Sequence, residues 1–239
     1  MAAEVEAALR EVADPASAPP KAAYLQAGPG GYAEGDRFLG ATVPQGRQVA
    51  RRFWREATDT DLVLLLGSPW HEVRHAALRM VCEGFTRGDD GRRTALVQLV
   101  LDHRERIDNW DLVDAWTPYV LGPWALEHGR RGAATLDRLM ASTSLWDRRS
   151  ALVATLAHVR AGEQASVVRL ALRAVDDDAD LVHKAAGWVL REMGNRDRTA
   201  LLQVLDQHAG RMPRVMLRYA VEKLDPQVRR HYRGLPRLA

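Results

Sequence analysis

A chain of 239 residues with 46% hydrophobic content can bury a full core, as one domain or one continuous repeat array, and its formal net charge of +3 is modest. A single cysteine, Cys82, excludes an intramolecular disulfide framework and paired-cysteine metal or redox chemistry, and points to a reducing compartment. No run approaches the roughly 18 consecutive apolar residues of a membrane span, and an N-terminus carrying Glu4, Glu6 and Glu11 is not a secretory signal, so a soluble cytoplasmic protein is expected.

Residues 2–12 are rich in Ala and Glu and read as a helix, which Asp14-Pro15-Ala16-Ser17-Ala18-Pro19-Pro20 ends because proline cannot continue it. The glycine-rich stretch from Gly28 to Gly40 follows a short segment over 21–26. It lacks both a Gly-Lys-Ser/Thr and a preceding strand, so it reads as a long ordered loop and not as a nucleotide P-loop. From Pro44 onward the pattern is helical. Arg47, Arg51, Arg52 and Arg55 form a basic stripe opposite Val49 and Phe53, which suits a solvated outer face or a face that contacts phosphates. Further helices are expected over 59–66, 71–84, 92–106, 110–121, 133–140, 145–159, 163–175, 180–193, 198–208 and 213–224. Gly88-Asp89-Asp90-Gly91, Gly129-Arg130-Arg131-Gly132 and Asp176-Asp177-Asp178 mark turns, and the fold class is all-α.

His71-Glu72-Val73-Arg74-His75 matches H-E-x-x-H, which can bind zinc through two histidines on one helical face. No spacing points to a third ligand, since His103, His128 and His158 are scattered singly, and a repeat register accounts for Arg74 without a metal. There is also no Gly-x-Ser-x-Gly to support a serine nucleophile.

That register is an internal repeat. Arg74, Arg149, Lys184 and Arg218 each precede small residues inside an amphipathic run, and Asp114-Ala115-Trp116 falls in the same place. The steps are 40, 35, 35 and 34 residues, the period of a HEAT- or armadillo-type helical array. The five positions are expected to form a ladder on a common surface, with one acid among four bases. Asp108 or Asn109 can cap the helix that carries Asp114, and Trp110 lies one turn before Asp114 on the same face. Trp146 flanks Arg149, while Lys184, Trp188 and Arg191 share a face.

All but three of the 34 basic residues are arginine, which suits bidentate phosphate contacts, although GC-rich coding produces the same bias. Arginines along such a surface would hold a polyanion by its phosphates. A carboxylate and indole faces stabilise a nearby cation, and a cation beside a phosphate backbone suggests the oxocarbenium-like sugar of a breaking glycosidic bond. A cationic alkylated purine is a leaving group that needs no general acid. On periodicity alone, core roles for Trp110, Trp146 and Trp188 and a structural pairing of Asp114 with Arg149 are the commoner reading.

Several segments resemble the AlkD-like family of bacterial DNA alkylation repair glycosylases. They are Gly35-Asp36-Arg37-Phe38-Leu39-Gly40 with Pro44; Ser68-Pro69-Trp70-His71-Glu72-Val73-Arg74; Asn109-Trp110-Asp111-Leu112-Val113-Asp114; Leu145-Trp146-Asp147-Arg148-Arg149; His183 through Glu192; and Met212-Pro213-Arg214 with Leu217-Arg218-Tyr219-Ala220. They follow in order from about residue 24 to the end. The resemblance implies a HEAT-like repeat solenoid with a basic concave DNA-binding face, one domain over 1–239 in which 1–23 form an N-terminal helix and Pro-rich connection and 24–239 the solenoid. It implies hydrolysis of the N-glycosidic bond of cationic N3- and N7-alkylated purines in duplex DNA by a monomer without a metal or other cofactor.

The family's catalytic aspartate falls on Asp114, its sugar-facing tryptophans on Trp110 and Trp188, and its phosphate-contacting arginine on Arg149. Arg191, Arg148, Lys184, Arg47, Arg51 and Arg218 complete the expected DNA-binding set. Such enzymes work without the tight base pocket of most glycosylases. Some relatives act as self-resistance enzymes on bulky adducts of yatakemycin- and duocarmycin-type antibiotics. Residues 1–23 carry no matching motif, which leaves substrate size open. The competing readings are a non-catalytic HEAT-repeat DNA-binding protein and a protein-interaction scaffold, neither of which needs an acid in the basic ladder.

Overall fold

The computed structural model describes residues 1–236, and by internal contacts the chain divides into two compact units, Met1–Trp116 and Thr117–Ala239. Every regular element among the described residues is a helix, and Arg37 and Trp70 form an isolated parallel bridge.

The first unit contains α1 (Ala2–Val12), a 3₁₀ turn (Pro15–Ser17), α2 (Ala18–Tyr24), α3 (Val43–Phe53), α4 (Asp59–Leu66), α5 (His71–Arg87), α6 (Asp90–Asp102), a second 3₁₀ turn (Arg104–Arg106) and α7 (Trp110–Trp116). Helix starts follow local chemistry: Thr42 with Gln45 and Thr58 with Asp61 form capping boxes, and the Asp89 side chain accepts from the Arg92 amide. Helix α5 is central, packing against α1, α3, α4, α6 and α7. Its first eight residues, His71 to Leu78, are accordingly buried, polar ones included.

The second unit contains α8 (Leu121–Glu127), α9 (Gly129–Met140), α10 (Leu145–Ala161), α11 (Ala165–Arg173), α12 (Asp180–Arg196), α13 (Arg198–His208), α14 (Arg214–Ala220) and α15 (Pro226–Gly234). Its principal contacts join each helix to those one or two places along the chain, the nearest-neighbour pattern of a helical repeat. Helix α10 packs against α8, α9, α11 and α12, which is why Ser150 through Val159 are buried all round. A Cβ on Gly187 of α12 would meet the Met216 carbonyl oxygen at 2.3 Å, so glycine there permits α14 to approach.

Several boundaries differ from the sequence expectation. Gly129-Arg130-Arg131-Gly132, expected as a turn, forms the first turn of α9, where Gly132 serves close approach, since a Cβ there would meet the Ala125 carbonyl oxygen at 2.0 Å; the helix expected over 92–106 runs instead from Asp90 to Asp102. Ala18-Pro19-Pro20 opens a helix as well as following one, because a proline in the first turn has no partner for its missing N–H to lose. The helix expected over 110–121 stops at Trp116, since Pro118 has no amide hydrogen and its ring opposes the carbonyl of Asp114; α8 then begins separately at Leu121. Helix α15, opened by Pro226, lies beyond the last expected helix.

Candidate functional site

Helix α7 carries Trp110 and Asp114 one turn apart, both half-buried, while Leu112, Val113, Ala115 and Trp116 anchor it in the core of the first unit. It is only 7 residues long, too short to be stable by itself, so tertiary contacts must fix it. Those contacts come from the glycine-rich loop and the start of α5.

The loop turns at Gly35 and Gly40, whose φ of +82° and +94° disfavour a side chain. Its Leu39 and Gly40 amides donate to the Glu72 carboxylate at 2.9 and 3.0 Å, and Lys21 Nζ donates to the same carboxylate at 2.9 Å and also to the Ala41 carbonyl. Arg37 accepts at its carbonyl from the His71 amide at 2.8 Å, and the Phe38 ring stacks on the His71 imidazole with centroids 4.8 Å apart. These bonds bring Asp36 to the N-terminal turn of α5.

His71 lies between two carboxylates, with Nδ1 2.7 Å from Asp36 Oδ2 and Nε2 2.8 Å from Asp111 Oδ2. Arg74, only 1% exposed, donates to both oxygens of Asp36 at 2.9 and 2.8 Å, to the Ser68 carbonyl at 3.0 Å and to Asp108 at 3.2 Å. Burial alone lowers the pKa of His71, but the hydrogen bonds and charges of Asp111 and Asp36 outweigh it and raise it to about 9, so both ring nitrogens donate at neutral pH. Burial raises the pKa values of Asp36 and Asp111, yet the hydrogen bond from His71 and neighbouring positive charge hold both below the usual carboxylate range. Burial also pushes His75 down to about 4, so it stays neutral.

Two of the three H-E-x-x-H residues are therefore committed to other partners: His71 to two carboxylates, and Glu72 to two backbone amides and Lys21. Arg74, expected on the surface ladder, is instead an interior group. The two candidate caps of α7 also have tertiary partners. Asn109 donates from its side-chain amide to the Leu25 carbonyl at 3.1 Å, and Asp108 accepts from Arg74.

Trp110 is held from the N-terminal side. Its Nε1 donates to Tyr32 Oη at 2.9 Å, and Tyr24, 71% exposed, meets the indole edge-on with centroids 5.7 Å apart. The arginine stripe of α3 is exposed as expected, Arg47 and Arg51 included, and Arg51 lies 3.6 Å from Glu83 of α5.

In the second unit, Arg149 is 5% exposed and donates from Nη1 to the Leu181 carbonyl at 3.0 Å. Arg148 has intrachain partners: its Nε and Nη2 meet Asp177 at 2.6 and 3.1 Å, and its Nη1 meets the Ser142 and Thr143 carbonyls. Trp188 and Lys184 are half-buried on α12. Trp188 donates from Nε1 to Glu192 Oε1 at 3.1 Å. Arg191 is clamped by Glu192 at 2.8 Å and Glu222 at 2.5 Å. A cavity of about 350 Å³ opens beside Trp188 and Glu192, with Leu156 and Arg160 of α10 across it. Arg218 is exposed, its guanidinium 5.7 Å from the Tyr219 ring centroid. The ladder thus mixes buried, half-buried and exposed positions.

The residues missed by sequence reasoning are those that hold the candidate groups: Asp36, His71 and Asp111 at the base of α7, Tyr32 on Trp110, and Glu192 on Trp188. Asp36, His71, Asp111 and Glu192 stand inside the family-like segments, but the bonds of His71 reach 35 and 40 residues along the chain, and no local pattern shows which side chains meet there.

A family model for DNA alkylation repair enzymes matches residues 5–224. A solved structure from Enterococcus faecalis, described as a predicted DNA alkylation repair enzyme, superposes with a TM-score of 0.68 at 17% identity, covering 90% of this chain and 97% of that one. At that identity the likeness speaks for the fold. No curated protein matches the sequence. The family match takes in the Gly35–Gly40 loop, the polar base of α7 and the helices that carry Arg149 and Trp188, and on that match the chain belongs to the DNA alkylation repair enzyme family.

Proposed function

We propose that this chain is a monofunctional DNA glycosylase of AlkD-like type, which hydrolyses the N-glycosidic bond of N3- or N7-alkylated purines in duplex DNA. The observation that carries the reading is Asp114, a half-buried carboxylate one turn from Trp110 on a short helix whose base is fixed by buried ion pairs, in a chain of a DNA alkylation repair family.

Alkylation at N3 or N7 leaves the purine cationic. When the bond from C1′ to the purine nitrogen breaks, both electrons go to the base, which leaves neutral, and the positive charge passes to the sugar as an oxocarbenium ion. Asp114 stabilises that charge, and the indole face of Trp110 adds an electrostatic contribution of the same sign. Water then adds at C1′ and loses a proton, leaving an abasic site. By the resemblance, Trp188 is a second sugar-facing indole and Arg149 a phosphate contact. Arg47, Arg51, Lys184, Arg191 and Arg218 belong to the proposed DNA-binding set, with salt-dependent affinity; Arg148, placed in that set from the sequence, is here assigned instead to its bonds with Asp177 and the Ser142 and Thr143 carbonyls.

The test is release of 7-methylguanine or 3-methyladenine from duplex DNA, read as alkali-labile strand breaks, by wild type and Asp114→Asn. We expect the rate to fall by on the order of 10²-fold or more in the variant, with DNA binding retained. A wild-type protein that bound duplex DNA with a steep salt slope but left both bases in place would not be a small-lesion glycosylase. A bulky N3-adenine adduct of the duocarmycin kind would then decide between a self-resistance enzyme and a non-catalytic DNA-binding protein.

A further inference from the structure

We propose that His71 is a positioning residue for the glycosylase reaction, an imidazolium strut between Asp36 and Asp111 that fixes the first turn of α7 and so sets the direction of Trp110 and Asp114. The inference rests on the glycosylase reading for its effect on rate, but its structural content does not.

Four observations carry it. First, α7 has 7 residues and ends at Trp116 ahead of Pro118, so its orientation cannot come from its own length. Second, Asp111 follows Trp110 directly and precedes Asp114 by three residues, so a bond at Asp111 fixes the rotation of the turn that carries both. Third, the far side of the strut is rigid: Asp36 takes two further bonds from the buried Arg74, and its loop is tied to Glu72 through two amides. Fourth, the same loop supplies Tyr32, whose hydroxyl accepts from the Trp110 indole at 2.9 Å. The loop and the start of α5 therefore hold α7 at two points, a carboxylate and an indole.

Charge decides why a histidine suits the position. A neutral imidazole donates through one nitrogen and presents a lone pair on the other, so it satisfies one carboxylate and repels the second. Only the imidazolium donates to both. The groups facing it are Asp36 from the loop, Asp111 from α7, and His75 and Arg74 on its own helix. Asp108 lies behind Arg74, and Arg47 of α3 and Arg79 act on His75. His75, held neutral by burial, does not compete for the carboxylates, and the raised pKa of His71 keeps the strut charged through the neutral range.

The experiment has two readouts. The first is independent of activity: ¹⁵N NMR of the full-length wild-type protein follows the His71 ring nitrogens and the Trp110 indole N–H, assigned with His71→Gln and Trp110→Phe, from pH 6.5 to 9.5. The expected result is a doubly protonated His71 at pH 7, and a Trp110 indole proton whose solvent exchange rises beyond the ordinary hydroxide-catalysed increase as His71 deprotonates, while exchange of the buried Trp116 indole follows that ordinary increase alone. A neutral His71 at pH 7, or a Trp110 signal indifferent to its titration, overturns the proposal whether or not the protein is a glycosylase.

The second readout is single-turnover base release compared with affinity for the same duplex. In His71→Gln and in Asp111→Asn, the rate should fall on the order of 10²-fold, as for a catalytic group misplaced by about 1 Å, with DNA affinity within about twofold of wild type. The wild-type rate should decline toward pH 9 after subtraction of spontaneous release, and the variants should show no such limb. Folded variants with wild-type rates would refute the role. If wild type releases neither the methylated bases nor a bulky N3-adenine adduct while the NMR result holds, the glycosylase reading fails and the strut remains.

Discussion

Raising the pH from 6.5 to 9 should remove most of the stabilising contribution of the His71 bridge, and the structure sets its size. His71 has its pKa raised from 6.5 to about 9, which corresponds to about 3 kcal/mol of preference for the charged form in the folded state. A folded pKa above the unfolded value means that the contribution is fully present below 6.5 and is lost as pH rises through 9. With its side chain 2% exposed, the imidazole gains little from solvent screening. Against a typical domain stability of about 5–15 kcal/mol, the loss is large. Cys82, buried and pushed up to about 12, adds alkaline instability only once its unfolded thiol begins to ionise near 9, so the window below that belongs to His71. On the acid side His75 acts in the opposite sense. Its pKa is pushed down from 6.5 to about 4, so stability falls as pH drops through that interval and the unfolded chain takes up the proton. The assay is urea unfolding followed by tryptophan fluorescence, wild type against His71→Gln, at half-unit steps from pH 5 to 9. A maximum near pH 6.5 with an alkaline limb absent from His71→Gln is expected. Wild-type stability that is flat between pH 7 and 9, or the same limb in both proteins, would refute the reasoning.

Three further predictions follow from named contacts. Arg148→Ala should lower the melting temperature by removing the bidentate pair with Asp177 and the bonds to the Ser142 and Thr143 carbonyls, while leaving the salt slope of DNA binding unchanged; a slope reduced by about one unit would mean a phosphate contact as well. Gly187→Ala should cost about 1–3 kcal/mol in chemical denaturation, because its Cβ would lie 2.3 Å from the Met216 carbonyl oxygen and 2.6 Å from Tyr219 Cβ; an unchanged midpoint would show that α14 moves freely. The Cys82 thiol should resist alkylation by iodoacetamide in the native protein at pH 8 and react fully in urea, since burial both shields it and keeps it protonated.

What was legible in the sequence was what depends on neighbours along the chain. The bounds of 59–66 and 198–208 coincide with α4 and α13, because capping residues and helical periodicity act within a few turns. The basic stripe of α3 is exposed over buried Val49 and Phe53 for the same reason. The repeat period also reflects local units, each repeated in turn, and the second unit shows the corresponding contacts between successive helices. The ladder was less legible. A basic residue before small residues recurs by position, but Arg74 and Arg149 are buried while Arg218 is exposed, and burial depends on what packs over each helix.

The sequence by itself determined the all-α class, most helix positions and the order of motifs that marks the family, because propensity, capping and periodicity are properties of short stretches. Only the tertiary structure decided what His71 does. A histidine, a glutamate and a second histidine at helical spacing suit a metal, a carboxylate bridge or a packed core equally well, and the choice depends on which atoms arrive from elsewhere. Asp36 and Asp111 arrive from 35 residues before and 40 residues after, and their two charges turn the motif into a charged strut beneath Trp110 and Asp114.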